Sequence, residues 1–168
     1  MLPHQATLVP DAREAFTSNH GWNLIELGSA ERQALSRAIE ALHADGSRVS
    51  LFIDPVPDMM PIARELGADR VELYTEPYAA AALAGRAAPS LATYAAAARA
   101  ALDVGLQINA GHDLNLDNLE PFLVALPPVA EVSIGHALIA DALELGLPDT
   151  VYRYLTLCRA SAQKQMRP

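Results

Sequence analysis

Two short segments of the sequence end in the same dipeptide, Gly-His, and a helix-like segment follows each of them. They are residues 107–113 (QINAGHD) and 131–137 (EVSIGHA), which place His112 and His136 24 residues apart. Histidine is the side chain whose ordinary pKa lies near neutrality, and a glycine lets a ligand approach the backbone closely. In parallel α/β proteins, functional residues gather at the carboxyl ends of the strands. The repeated ending therefore predicts two adjacent strands that contribute to one site.

Glu72 is the acidic residue with the most informative position, because it lies inside the apolar segment VELY at residues 71–74. A carboxylate in a buried strand is costly unless it is paired or hydrogen-bonded. One interpretation is an acid or base that lines a barrel and has a raised pKa. The other is an outward-facing strand residue that bonds to a helix, and the residues alone leave both open.

The two histidines also allow more than one interpretation. His112 fits a general acid or base at a strand end, or a loop histidine that packs on or caps the next helix. Gly135 and His136 open a helix at once, so that its free amides could form an anion site; the alternative is a tight turn. Glu72, His112, Asp113 and His136 could supply zinc or manganese ligands, but the sequence contains no His-x-His or His-Glu-x-x-His pair in support.

The elements that must position these residues alternate between strand and helix. Strands are predicted at residues 6–9, 49–53, 70–74, 106–109 and 131–134, and helical spacing covers 29–46 (with Ser29 as N-cap), 58–66, 90–104, 116–126, 137–145 and 149–160. Such alternation predicts a parallel sheet with right-handed crossovers. The strands are interpreted as apolar throughout, as for a sheet covered on both faces. An open five-stranded sheet and part of a (β/α) barrel both fit, and the long loops 9–29 and 76–89 are expected to be functional.

Composition sets the outer bounds. The 168 residues predict one domain over 1–168, and a net charge of -8 argues against a nucleic-acid or anionic membrane surface while leaving small phosphate ligands possible. Cys158 is the single cysteine, which favours a reducing compartment. Neither a secretory signal nor an uncharged apolar run of about 18 residues is visible. These features predict a cytoplasmic protein without a membrane or nucleic-acid partner.

Five motifs, taken in order, resemble the pyridoxine 5'-phosphate synthase family of vitamin B6 biosynthesis. They are Thr7-Leu-Val-Pro-Asp followed by Arg13, Val49-Ser-Leu-Phe-Ile-Asp54, Val71-Glu-Leu-Tyr-Thr75, Ile108-Asn-Ala-Gly-His112 and Ser133-Ile-Gly-His-Ala137. The resemblance covers residues 3 to about 160. It implies a (β/α) barrel that condenses 1-deoxy-D-xylulose 5-phosphate with 3-amino-2-oxopropyl phosphate into pyridoxine 5'-phosphate, phosphate and water, without a metal or organic cofactor.

The resemblance also implies roles for single residues. His112 would donate protons, and Glu72 would stabilise charged intermediates. Gly135 and His136, together with the backbone near Asp113, would hold the phosphate of 3-amino-2-oxopropyl phosphate, and Thr17 would contact deoxyxylulose phosphate. Asp113 stands where many relatives have glycine, so its amide is expected to face the phosphate while its carboxylate turns away.

The family's first three βα units supply an Asn-x-Asp-His strand end, a His-x-Arg pair and a glutamate base, and none of these is found in this sequence. The resemblance therefore implies an incomplete barrel of about five units, the C-terminal portion of a (β/α)8 barrel, with exposed strand edges near Thr7 and Val132. Such a chain is expected to form a homo-oligomer, to pair with a missing fragment or to be marginally stable, and to be inactive or impaired alone. Two further hypotheses are a non-catalytic phosphate-binding or assembly remnant of the barrel, and a metal-dependent lyase or hydrolase.

Overall fold

Five parallel strands form one sheet in the order β1-β2-β3-β4-β5, with helices in the connections. The computed structural model describes residues 2–10, 14 and 16–165, and in Gln165 the backbone alone. The strands are β1 (Gln5–Leu8), β2 (Arg48–Ile53), β3 (Arg70–Tyr74), β4 (Gln107–His112) and β5 (Glu131–Ile134). Each pairs in parallel with the next strand along the chain. The fold is an α/β, incomplete TIM-type barrel, which confirms the expected class.

The helices agree with the expected segments except at two points. They are α1 (Ser29–Ala44), α2 (Met59–Glu65), α3 (Glu76–Leu83), α4 (Ala87–Asp103), α5 (Leu119–Ala125), α6 (His136–Leu145) and α7 (Leu147–Gln165). The loop expected at 76–89 was wrong: α3 occupies most of it, because Pro77 suits a first turn and a run of alanines follows. The N-cap of α1 is Gly28 rather than Ser29, and Glu31 accepts the Gly28 N–H at 2.9 Å.

The sheet is strongly curled, as contacts between distant strands show. The Gln5 amide on β1 lies 3.4 Å from a Glu131 carboxylate oxygen on β5. Across a flat sheet, with about 4.8 Å between neighbouring strands, the outer two of five would lie almost 20 Å apart. The Thr7 hydroxyl on β1 likewise reaches Glu72 on β3 at 3.1 Å. Curling thus turns one face of the sheet into a concave surface whose side chains meet.

The two faces of the sheet differ in polarity, which corrects the interpretation of the strands as apolar throughout. The convex face carries aliphatic side chains that join the helices in the hydrophobic core, among them Val49, Leu51, Ile53, Val71, Leu73 and Ile108. The concave face carries mostly polar residues at alternate positions, including Gln5, Thr7, Ser50, Arg70, Glu72, Asn109, Glu131 and Ser133. This period of two is typical of a sheet with one core face. The alternation is not visible in the sequences of β2 and β3, because Phe52 and Tyr74 also lie on the concave face.

Arg70 organises the concave face at the amino ends of the strands. Its guanidinium is buried and donates to Gln107 at 2.9 Å, to Asn109 at 3.1 Å and to Glu131 at 3.1 Å. A buried guanidinium needs such acceptors because it has five N–H donors and cannot be deprotonated. The network ties β3 to β4 and β5 below the level of Glu72.

Both outer strands have one partner each in the described part of the chain, as expected. β1 pairs with β2, and β5 pairs with β4. Beside β5, a shallow cavity of about 200 Å³ is lined by apolar residues of β5, α6 and α7, including Val132, Leu138 and Leu155. Among the described helices, none combines the length and the apolar character needed to cross a bilayer.

Candidate active site

An open cavity of about 610 Å³ lies at the carboxyl ends of the strands. Its lining comes from β1, the loop after it, β2, β3, β4, β5 and the start of α6: Thr7, Val9, Ser18, Phe52, Glu72, His112, Ser133, Ile134, Gly135 and His136. This is the position where parallel α/β proteins place their ligands. Glu72 and both Gly-His histidines therefore line one cavity, as the spacing predicted for the two histidines.

Glu72 lies on the concave face and is 8% exposed, which decides between its two interpretations in favour of the barrel-lining one. The Thr7 hydroxyl donates to its Oε2 at 3.1 Å. Burial raises the pKa of Glu72, and Glu131 adds to the increase, whereas hydrogen bonds from Thr7 and Ser133 and the charge of His112 oppose it. At neutral pH, protonation of this carboxylate therefore costs less free energy than protonation of an ordinary glutamate.

Gly111 makes room for the carboxylate of Glu72. A Cβ at this position would lie closer than 3.0 Å to Oε1 of Glu72 and about 3.0 Å from the Cβ of Ser133. The close approach expected of the first Gly-His glycine is therefore made by a side chain of the protein itself. At Gly135 a Cβ would meet nothing within 4 Å, so that glycine does open onto the cavity.

Both ring nitrogens of His112 have partners. Nε2 lies 2.8 Å from the Thr17 hydroxyl, and Nδ1 lies 2.5 Å from a carboxylate oxygen of Asp113. The ring packs edge-on against Tyr74, with centroids 5.5 Å apart, and lies 6.5 Å from Phe52. The imidazole is thus fixed by two hydrogen bonds and by an aromatic wall, which favours an acid–base role over a loose loop histidine.

The backbone of His112 has a φ of 106°, in the left-handed region that favours glycine. Thr75 bridges the residues on either side of it: its hydroxyl donates to the Gly111 carbonyl at 2.6 Å and accepts the Asp113 N–H at 3.3 Å. The Asn118 side chain donates to the Asp113 carbonyl at 3.2 Å. A strained conformation of this kind costs about 1–3 kcal/mol and persists where its surroundings enforce it, as these bonds do.

His136 is the first residue of α6, and Gly135 is its N-cap. The first-turn amides of a helix have no intrahelical acceptors, and the positive end of the helix dipole favours an anion. The rings of His136 and His112 lie 6.5 Å apart in an edge-on arrangement. An anion at the start of α6 would therefore lie within reach of both imidazoles.

The loop between β1 and α1 brings Thr17 and Ser18 to this site. Trp22 bridges to Ile53, and the Gly21 N–H donates to Asp54 at 3.1 Å, which attaches the loop to the end of β2. A Cβ at Gly21 would lie within 3.0 Å of the Ile53 backbone. Arg13, one of the residues behind the family resemblance, lies outside the described residues.

Thr7, Thr75 and Ser133 belong to the motifs that carry the family resemblance, but no role was expected of them. Their roles here are to hold Glu72 and the backbone around His112. Thr7 and Ser133 could have been recognised from their alternation with apolar residues along β1 and β5. Phe52, which lines the cavity, was missed because an aromatic residue in a strand resembles a core residue.

Two expectations about anions and metals can be compared with the geometry. The Asp113 amide, expected to face a phosphate, already donates to Thr75, and its carboxylate turns toward His112. Among residues 2–10, 14 and 16–165, no three or more His, Cys, Asp or Glu side chains are grouped as a metal site would require.

Known proteins of one family are similar to this chain over most of its length. Residues 1–160 match the family model described as pyridoxal phosphate biosynthesis protein PdxJ. The chain is 59% identical over 152 residues to a pyridoxine 5'-phosphate synthase of Albidiferax ferrireducens, covering 90% of this chain and 59% of that protein. It is 51% identical over 152 residues to one of Porphyromonas gingivalis, covering 90% and 62%. It therefore spans about three fifths of the length of the curated relatives it matches.

Among solved structures, an HMG-CoA lyase from Brucella melitensis aligns with a TM-score of 0.50 and 23% identity, covering 79% of this chain and 49% of that one. At this identity the similarity concerns the fold alone. The family match extends over nearly the whole chain, and it includes all the residues that line the cavity. The chain belongs to the PdxJ family of pyridoxal phosphate biosynthesis proteins.

Proposed function

We propose that this chain supplies the acid–base and phosphate-binding residues of a pyridoxine 5'-phosphate synthase. The reaction condenses 1-deoxy-D-xylulose 5-phosphate with 3-amino-2-oxopropyl phosphate and releases pyridoxine 5'-phosphate, inorganic phosphate and water. The observation that carries the proposal is the convergence of Glu72, His112 and His136 on one cavity of about 610 Å³. The relatives named pyridoxine 5'-phosphate synthase support the choice of reaction.

His112 is the proton donor in this proposal. Imine formation and dehydration each require a proton to reach a leaving oxygen, which a positioned imidazole supplies. Nε2 is the nitrogen suited to this role, because it lies on the Thr17 side of the ring while Nδ1 lies against Asp113. Glu72, buried on the neighbouring strand, stabilises the cationic imine and is able to exchange a proton with it.

The phosphate of 3-amino-2-oxopropyl phosphate binds at Gly135 and His136 in this proposal. Gly135 leaves open space for an oxygen close to the backbone, and α6 offers its first-turn amides. His112, the residue before Asp113, lines the same cavity. Thr17 contacts deoxyxylulose phosphate, because its hydroxyl lies beside Nε2 of His112. The chemistry needs no metal or organic cofactor, since its steps are proton transfers and dehydrations between two bound phosphate esters.

The proposal treats the chain as a single domain that associates with copies of itself. The outer strands β1 and β5 each have one neighbour among the described strands, and unpaired edges favour association. We expect a cytoplasmic homo-oligomer whose turnover, measured on this chain alone, is impaired or absent.

Binding and turnover of the purified chain test the proposal separately. Calorimetry with 3-amino-2-oxopropyl phosphate is expected to show binding that His136→Ala weakens at least about tenfold, roughly 1.4 kcal/mol. His43→Ala is the matched control, because His43 lies on α1 and pairs with Asp69 away from the cavity. Equal affinity of the wild type and His136→Ala would contradict the phosphate site.

The second candidate, a non-catalytic phosphate-binding or assembly module, is favoured by the unpaired outer strands. It predicts the same His136-dependent binding without any pyridoxine 5'-phosphate formed from the two substrates. Product formation that His112→Ala and Glu72→Gln each reduce at least about 10²-fold would support the synthase over the module.

A further inference from the structure

The contact between Asp113 and His112 assigns a role to a carboxylate that the expected phosphate pocket does not need. Asp113 Oδ2 lies 2.5 Å from Nδ1 of His112, and the opposite nitrogen, Nε2, lies 2.8 Å from the Thr17 hydroxyl. The His112 side chain is 20% exposed and that of Asp113 is 38% exposed, so the pair lies at the boundary between the cavity and solvent.

An ionised carboxylate only accepts hydrogen bonds. The nitrogen that faces it must therefore carry a hydrogen, which fixes the neutral imidazole as the Nδ1–H tautomer. Nε2 is then the nitrogen with the free lone pair, and the Thr17 hydroxyl is placed to donate to it. When the ring takes up a second proton, that proton is located at Nε2, beside the Thr17 hydroxyl.

The pair is held by the backbone around it. The peptide N–H of Asp113 donates to Thr75, and the carbonyl of Asp113 accepts from Asn118. These bonds fix Asp113, the residue directly after His112. The φ of His112, 106°, turns the two side chains toward each other. Asp113 thus reaches Nδ1 from a braced position, which differs from a chance contact between two mobile surface groups.

We propose that Asp113 is a positioning residue for His112: its carboxylate holds the imidazole in the Nδ1–H tautomer and directs Nε2 toward the bound substrate. This deepens the proposed function, on which its catalytic meaning rests, and replaces the expectation that the carboxylate turns away from the site. The tautomer itself is a property of the chain without substrate.

Nitrogen NMR of the histidine rings tests the proposal directly. At about pH 8.5, roughly two units above the ordinary histidine pKa of about 6.5, the 15N shifts of the two ring nitrogens show which one is protonated. We expect Nδ1–H for His112. His43 provides an internal comparison, because its Nε2 faces Asp69 at 2.8 Å, and we expect Nε2–H there.

Asp113→Asn keeps the shape of the side chain but lets an amide N–H face Nδ1. The proton is then expected to move to Nε2, as an amide in place of a carboxylate produces the wrong tautomer in Ser-His-Asp triads. Asp113→Ala removes the preference for Nδ1–H, and Asp69→Asn leaves His112 unchanged. A wild-type Nε2–H tautomer, or the same Nδ1–H tautomer in both Asp113 variants, would overturn the proposal; unchanged His43 signals in the two Asp113 variants show that these are folded.

Kinetics separate this inference from the proposed function. If the chain turns over, Asp113→Asn is expected to lower kcat at least about tenfold, since general acid–base catalysis contributes about 10²–10⁴-fold. KM for 3-amino-2-oxopropyl phosphate is expected to change less than about twofold. If the wild type alone shows no turnover, which the proposed function allows, the NMR result still decides the tautomer.

Discussion

The carboxylate of Glu72 occupies the space that a side chain at Gly111 would need. The two residues lie on adjacent strands, β3 and β4, and the absence of a Cβ at the glycine leaves room for the carboxylate. The glycine of the sequence Asn-Ala-Gly-His thus leaves the space that the carboxylate of Glu72 occupies. This relationship leads to the first prediction.

Gly111→Ala is expected to destabilise the fold by about 1–3 kcal/mol, the usual cost of overpacking a closely packed site. Gly135→Ala is the matched control and is expected to cost less than about 1 kcal/mol, because a Cβ there meets nothing within 4 Å and the change affects only the N-cap of α6. Urea unfolding measures both. In the Glu72→Ala background the cost of Gly111→Ala should fall without vanishing, since Ser133 remains close; equal costs in both backgrounds would contradict the steric explanation.

Thr75→Val is expected to cost about 1–3 kcal/mol, because it removes a buried hydroxyl that bonds on both sides of His112. Ser50→Ala is a suitable comparison: Ser50 is also fully buried, but its hydroxyl has no hydrogen-bond partner in the part of the chain that is described. We expect it to change stability by less than about 0.5 kcal/mol. Hydrogen exchange at the Asp113 amide should accelerate in Thr75→Val alone, and similar effects of both substitutions would contradict the bracing role.

Glu72→Gln is expected to change how stability depends on pH. The pKa of Glu72 in the folded chain is raised above 4.5, chiefly by burial. The neutral acid therefore stabilises the fold at pH values below the pKa that Glu72 has in the unfolded chain. This contribution is lost as the pH rises through the pKa of Glu72 in the folded chain. Relative to Glu72→Gln, the wild type should lose stability between about pH 4 and neutrality. Urea unfolding over a pH series measures this, and parallel curves would show that the carboxyl is not perturbed.

Arg70→Met is expected to cost about 2 kcal/mol, because the substitution leaves three acceptors without their shared donor. Glu131→Gln should cost less than about 1 kcal/mol, since the Glu131 side chain is 44% exposed and water can replace its partner. Thermal or urea unfolding gives both values. A larger loss of stability in Glu131→Gln than in Arg70→Met would mean that the ion pair, rather than the buried guanidinium, stabilises the network around Arg70.

The order of strands and helices and the convergence of Glu72, His112 and His136 could be predicted from the sequence. The carboxyl ends of parallel strands share one edge of the sheet, so the two Gly-His repeats indicate a common site. The helix at 76–83 was not predicted, since Glu-Pro at its start resembles a turn and the alanine run after it is short. Polar side chains of the concave face were also hidden, because Phe52 and Tyr74 interrupt the alternation that marks a sheet with one core face.

The bonds within the site depended on geometry that no sequence pattern contains. Asp113 follows His112 directly, and neighbours in a strand normally point to opposite faces. The positive φ of His112 brings them together. Sequence reasoning therefore assigned Asp113 to a phosphate and left Thr75 without a role, although these two residues determine how the imidazole is held.

The contact between Gln5 and Glu131 has a consequence for the order of folding. Each strand can pair with the next after one crossover, whereas this contact joins residues separated by 126 positions. Contacts of such long sequence separation are costly to form early. We expect the hydrogen-bond network of Arg70 with Gln107, Asn109 and Glu131 to be completed after the rest of the sheet is assembled. Changes within it should then accelerate unfolding and leave the refolding rate almost unaltered.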